Sequence, residues 1–327
     1  MHIPDNYLSP SSCLVMAAAA APAVIYSATS VTKKIPKEKI TLIGIGAAFS
    51  FLGMMLNIPL PGGTTGHAVG GTLIALLAGP EAACISLTMA LILQALLFGD
   101  GGILSIGANC LNMAVILPFT GYYTAKLISS MIKTPHGDMI GAAIGSYIGI
   151  NAAALCAAIE FGIQPYLFHN PSGQAPYCPY GLDVSIPMMM AGHLTLFGAA
   201  EAVFTSSMLA FIKKTSPEAI SSESPKINYV PFAGIIALLI AIAPIGLLAE
   251  GTAWGEWSTE ELAKETGLSY TPEGMLNGFE WHAMIPDYSA GGLGDTASYY
   301  LSAIIGAAVL IGLFKAISAL IKPEIKF

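Results

Sequence analysis

The sequence predicts an all-α integral membrane protein, and three observations carry that expectation. Of 327 residues, 54% are hydrophobic and only 10% charged, with a mean hydropathy of +0.69; a soluble domain carries roughly 25% charged residues. The apolar residues gather into runs of the length that spans a hydrocarbon core as helix, roughly 17–25 residues. Lysine, the only basic residue type present, clusters in a few of the stretches between those runs. The formal net charge of −7, with no basic stripe, argues against a nucleic-acid partner.

Taken in order, the runs predict nine helices at about 11–31, 39–56, 67–79, 81–98, 106–130, 138–163, 186–212, 229–249 and 298–320. NIPLPGGTTGH, between the second and third, reads as loop because of its glycines and prolines. Gly79-Pro80 separates the third helix from the fourth, and GDGG at 99–102 is a turn. Residues 214–228 are polar and rich in Pro and Ser, which marks a linker between residues 1–213 and 229–327. No lysine precedes the first run, whereas Lys33, Lys34, Lys37 and Lys39 follow it. That order is not a leader's and places the N-terminus outside. Alternating sides from there puts every lysine except Lys264 on or near the inner face, and the C-terminus in the cytoplasm. If helices three and four are both re-entrant, parity survives and only the count drops.

The segment 250–297 then lies outside. It holds nine acids (Glu250, Glu256, Glu260, Glu261, Glu265, Glu273, Glu280, Asp287 and Asp295) against Lys264 alone. Such a segment raises the local cation concentration, or is simply a solvated loop. Gly141, Gly145 and Gly149 share one face of the sixth helix, and Ala17 and Ala21 one face of the first. Small residues at that spacing suit close helix packing, within the chain or against a membrane partner.

No G-x-x-x-x-G-K-S/T loop, H-E-x-x-H pair or G-x-S-x-G elbow occurs. The five cysteines are scattered, and four lie in apolar segments as small apolar residues do. Of six histidines, His136, His169 and His282 fall in loops. His193 lies in the seventh helix with Glu201 beyond it, and ionisable groups at such depth are functional candidates. His2 is singled out by its position. A free α-amine, the amide nitrogen of residue 2 and that residue's imidazole Nδ1 can close adjacent five- and six-membered chelate rings around one ion. A fourth nitrogen completes a square, which suits Ni(II) or Cu(II). The amine and imidazole must be deprotonated to bind, so acid weakens such a site. His67, after a Gly/Pro loop at the outer start of the third helix, is the best fourth ligand; otherwise His2 is an ordinary second residue.

MHIPDNYLSP, GGTTGHAVGGTLIALLAGPEAA and GANCLNMAVILPFTGYY together resemble the CbiM/NikM family, the substrate-capture (S) components of energy-coupling factor transporters for cobalt and nickel. The resemblance runs through residues 1–212, and departs from the family pattern at Asn6, where glycine is common. It implies an S-component bundle of about seven helices whose first helix carries the N-terminus into the cavity, with metal held by Met1, His2 and His67. Residues 229–327 resemble the accessory N component, two helices around the external loop, through IPDYSAGGLGDT. The family implies partners, a transmembrane coupling subunit and separate ATPases, and a cell membrane of a bacterium or archaeon. Ni(II) or Co(II) is then cargo, supplied for cobalamin or nickel enzymes, and tolerance of amide coordination favours nickel. Thr64, Thr65, Asn109, Asn112 and His193 are candidates to support the ligands. Two other classes remain: an intramembrane metalloenzyme using Glu201 as its acid or base, and a secondary transporter, whose usual inverted repeats are not found.

Overall fold

The computed structural model describes residues 1–60, 64–134, 136–220, 226–249, 253–258, 261–262 and 268–320. They form a helical bundle in which the first residues of the chain are buried. Helix α1, Pro10–Lys34, starts where Ser9 caps it by accepting the Ser12 N–H at 3.0 Å, with Pro10 in the first turn. Apart from Val31, its buried residues are small or polar (Ser12, Cys13, Ala20, Ser27, Ser30), while Leu14, Val15, Ile25 and Tyr26 point outward. That inversion of the soluble pattern is what a helix between protein and lipid requires.

Next come α2, Lys37–Met54, and a short antiparallel hairpin of β1, Ile58–Leu60, and β2, Thr64–Gly66, in the register Ile58↔Gly66. The stretch expected as plain loop therefore contains a two-stranded ribbon, whose strands pair their backbone groups with each other. Helix α3 is Gly71–Ala78, not 67–79. Its eight residues span about 12 Å, less than half a hydrocarbon core. Gly70 at φ +72° cannot continue a helix backwards, so His67 stands on irregular backbone ahead of α3. Gly79, at φ +93°, turns the chain into α4, Pro80–Leu93, which continues as a π turn over Gln94–Phe98.

Helix α5, Ile106–Asn109, passes through a second π segment, Cys110–Ile116, into α6, Leu117–Met131. Then follow α7, Gly137–Gly162, α8, Gln164–Leu167, and α9, Leu182–Gly192. A third π turn, His193–Phe197, joins α9 to α10, Gly198–Thr215. The last elements are α11, Val230–Ile242, α12, Glu273–Leu276, and α13, Asp295–Leu320. Among the described residues, six continuous runs are long and apolar enough to cross a membrane: Pro10–Lys34, Pro80–Phe98, Gly137–Leu167, Leu182–Thr215, Val230–Leu248 and Asp295–Leu320. This is a multi-pass helical membrane protein.

The expected linker is tied at both ends, since Glu218 accepts the Asn228 N–H at 2.9 Å and the Ser216 hydroxyl at 2.8 Å. Its residues 221–225 lie outside the described ones, as do Glu250, Glu260, Lys264 and Glu265 of the acidic segment and Lys322 and Lys326 near the C-terminus. The last hundred residues are not a loose appendage. Helix α13 lies along α2, with Phe51 filling the space over Gly306 and Phe314 that over Gly44, and Tyr299 donates to the Met55 carbonyl at 2.8 Å.

The glycine face of α7 is used inside the chain. A methyl group added at Gly145 would lie 2.5 Å from the Gly121 carbonyl of α6, and one at Gly149 2.7 Å from that of Leu117. Ala17 of α1 likewise meets Gly107 of α5. Gly145→Val is therefore expected to force α6 from α7 and cost about 1–3 kcal/mol, seen as a lower melting temperature in detergent. Gly234→Ala, with nothing within 4 Å of the added methyl, leaves the melting temperature unchanged or slightly raised.

Candidate metal centre

The centre is built on the first nine residues, which enter the bundle as an irregular segment with a turn at residues 5 and 6. Met1, His2 and Ile3 are 5%, 2% and 0% exposed. Asn109 clasps Ile3 from both sides: its Oδ1 accepts the Ile3 N–H at 2.8 Å and its Nδ2 donates to the Ile3 carbonyl at 3.1 Å. The Gly102 N–H donates to the same carbonyl at 2.9 Å. Ser105 donates to the Pro4 carbonyl at 2.9 Å. The Asp5 carboxylate accepts the N–H groups of Ile103 and Leu104, and burial lifts its pKa above the ordinary value against those bonds. Asn6 stands at φ +68°, a conformation open to glycine and tolerated by asparagine. That explains the departure at this position, and the asparagine adds a two-way bond to the Phe279 backbone, at 2.8 and 3.0 Å. Tyr7 and Ser9 complete the path, bonding the Cys178 amide and Gln164.

So held, the His2 ring meets His67. Nδ1 of His2 lies 3.3 Å from Nε2 of His67, with ring centroids 5.2 Å apart and planes tilted by 47°. Both residues are buried, and among the described residues His2 Nε2 and His67 Nδ1 have no hydrogen-bond partner. Burial first, then the charge of His2 and of the amine, push the pKa of His67 well below the ordinary imidazole value, so it is held neutral with a free lone pair. The two histidines line a cavity of about 380 Å³ together with Thr65, Asp100, Glu256, Asp287 and Tyr288. The Met1 amine donates to Glu256 at 3.2 Å.

Asp100 and Tyr288 were not singled out in the sequence, and Glu256 only as one acid among nine. Asp100 lies inside the GDGG turn, its Oδ1 3.4 Å from His2 Nδ1. Its Oδ2 accepts from the Tyr288 hydroxyl and, at 3.0 Å, from Gln94. Tyr288 adopts φ +59°, strained for an aromatic residue and costing about 1–3 kcal/mol. The strain is held by those bonds and by stacking on Phe98, with centroids 4.7 Å apart.

The other expected residues divide. Thr65 borders the cavity, whereas the Thr64 side chain lies outside the described ones. His193 opens the third π turn, lines a small pocket beside Met1 and Thr65, and lies 2.8 Å by its Nδ1 from the Met189 carbonyl. Asn109 bonds the segment that bears His2, not the ring itself. Asn112 does not serve the histidines: it donates to Glu160 at 2.8 Å. The π segment that begins at Cys110 widens the turn and takes Asn112 off the face of Asn109. Glu201, the acid or base of the metalloenzyme alternative, has both oxygens on the Val69 and Gly70 amides. His136, His169 and His282 are exposed, and burial pushes the Cys178 thiol up to about 12, out of the range of a thiolate ligand. Among the described residues no three His, Cys, Asp or Glu side chains gather to hold an ion.

Residues 2–219 match the family described as CbiM, cobalt uptake substrate-specific transmembrane region, and residues 228–323 match the PDGLE domain. A probable fused nickel transport protein LarMN of Lactiplantibacillus plantarum is 47% identical over 96% of this chain and 97% of its own length. The fused nickel transport protein NikMN of Rhodobacter capsulatus is 40% identical over 95% of each. A crystal structure of a truncated transition metal transporter superposes with a TM-score of 0.62 and 52% identity, covering 65% of this chain and 99% of that one.

Asn109→Ala is expected to leave the buried Ile3 N–H without its partner and to cost about 1–3 kcal/mol. Thermal unfolding reads the loss, and proteolysis of residues 1–9 should become faster in the variant than in the native chain.

Proposed function

The chain belongs to the cobalt uptake substrate-specific transmembrane (CbiM) family, carried in one polypeptide with a PDGLE domain, and on that premise we propose that it captures Ni(II) or Co(II) outside the cell for import. The observation that carries the reading is the buried meeting of His2 Nδ1 and His67 Nε2 at 3.3 Å, beside a chain terminus locked into the same wall. The Met1 amine, the His2 amide nitrogen and His2 Nδ1 supply three nitrogens of a square, and His67 Nε2 the fourth. Such a donor set accepts Ni(II) more readily than Co(II), which makes nickel the preferred cargo. Relatives named as nickel transport proteins support that preference.

Capture begins at the outer face. Glu256 and Asp287 line both the cavity at His2 and a neighbouring one of about 510 Å³ that opens beside Asp5 and Glu261, and this acidic approach draws in cations. Binding exchanges the Met1–Glu256 ion pair for a metal–nitrogen bond and releases the amine and amide protons. Glu256 then remains close enough to balance charge. Asn109, Thr65 and His193 support the ligands rather than bind the ion. Residues 1–213 are the capture domain and 229–327 the accessory domain, joined by 214–228. The accessory domain secures the segment that carries the ligands, through Glu256, Phe279 and Tyr288. With no Walker A loop in the chain, a coupling subunit and ATPase partners supply the energy that reorients the loaded chain and releases the ion inward. In this reading the N-terminus is outside and the C-terminus cytoplasmic.

Adding Gly-Ser before Met1 moves the free amine and leaves every side chain in place. By calorimetry, nickel affinity is expected to fall by at least about 100-fold, near 2.7 kcal/mol; unchanged affinity contradicts the amine as ligand. Because His67 is already held neutral, acid sensitivity comes from the other nitrogens. Affinity is expected to fall by roughly tenfold or more per pH unit as the solution is acidified, because at least one nitrogen-bound proton must leave for each ion bound, with His67→Ala weaker throughout but of similar slope.

A further inference from the structure

Glu201 is a fully buried carboxylate that the capture chemistry leaves unused. It projects from the first turn of α10 and takes the Val69 N–H at 2.7 Å and the Gly70 N–H at 3.0 and 3.1 Å. Two successive backbone N–H groups thus converge on one anion, and Gly70, at φ +72°, turns the chain from this loop into α3. From the opposite side, Ser50 of α2 donates to the Val69 carbonyl at 2.7 Å. Both backbone polar groups of Val69 are thus held by side chains of two helices, and His67 stands two residues upstream. On the other flank of His67, the Phe197 ring occupies the space over Gly66. One turn beyond Glu201, Phe204 stacks on Phe49 at 4.9 Å and 8°, and both rings pack against Gly70. His67 is therefore bracketed on either side by residues of the same helical run, 193–215.

We propose that Glu201 is a positioning residue whose carboxylate fixes the His67 loop to α10, so that His67 Nε2 reaches the ion already chelated by the N-terminus. The inference rests on the reading of Met1, His2 and His67 as ligands. A carboxylate that only filled space would leave the geometry at His67 unaltered when replaced by its amide. Glu201→Gln keeps the shape but turns an N–H₂ toward one of the two backbone donors, and releases one arm of the loop.

The test compares the full chain with Glu201→Gln, Glu201→Asp, His67→Ala and the Gly-Ser extension, using nickel chloride as probe. It reads affinity by calorimetry and the ligand-field absorption of the bound ion. Glu201→Gln is expected to bind nickel at least tenfold more weakly, its band displaced toward that of His67→Ala, with Glu201→Asp in between. A lowered melting temperature with native affinity and a native band overturns the positioning role. If Glu201→Gln does not fold, the same two readouts on Glu201→Asp decide. Loss of binding in the extension and in His67→Ala, with a native band in the Glu201 variants, overturns this inference alone. Native binding in the extension and in His67→Ala overturns the ligand assignment, and this inference with it.

Discussion

The arrangement depends on one clasp, the pair of hydrogen bonds by which Asn109 holds the backbone of Ile3. A chain terminus is ordinarily the most mobile part of a protein, because few contacts offset the entropy of ordering it. Here the two residues before Ile3 are buried to within a few per cent of complete exclusion. A buried segment with unpaired N–H and C=O groups would be costly. Asn109, Gly102, Ser105 and Cys178 offset that cost by taking up backbone groups of Ile3, Pro4 and Tyr7. Once the segment is fixed, the position of the His2 ring is fixed with it, and only then can a loop from elsewhere in the chain be aimed at that ring.

The second half of the chain is arranged around the same segment. Several of its bonds to the first half gather beside it: Tyr7 donates to the Trp257 carbonyl at 2.7 Å, Asn6 pairs with Phe279, and Trp281 donates to the Leu96 carbonyl at 3.1 Å. The strained Tyr288 reaches Asp100, which faces His2. Backbone strain of this kind persists where surrounding contacts over-determine it, and such places cluster at functional sites. The fused region is thus part of the wall of the cavity, and a single polypeptide keeps that wall together without an association step.

Much of this was legible in the sequence because apolar runs of membrane-spanning length have few alternatives. The helical runs, their order and the breaks at Gly79-Pro80 and residues 99–102 all came from that constraint. His2 and His67 were legible too, one from its place in the chain and the other from the Gly-rich stretch before it, and the structure brings them together. What composition did not reveal was backbone conformation. GGTTGH announces irregular chain but not a hairpin, nor a half-length α3. The spacing of Asn109 and Asn112 assumes an α-helical turn, and the π segment from Cys110 invalidates that assumption. Asp100 was hidden inside a turn motif, and Tyr288 in a loop whose left-handed conformation nothing in its residue type suggests. The glycine ladder of α7 was ambiguous between an internal and an external neighbour; packing against α6 resolves it as internal.

The central claim is that the terminus of the chain is itself part of the binding chemistry. The nickel-edge X-ray absorption spectrum of the nickel-loaded full chain tests it most directly, since the spectrum reports coordination number and ligand type without any substitution. Four nitrogen neighbours in one shell with square-planar features are predicted, because two imidazoles, one amide and one amine are all nitrogen donors. A six-coordinate, oxygen-rich shell would place the ion among the carboxylates of Asp100, Glu256 and Asp287 and contradict the account.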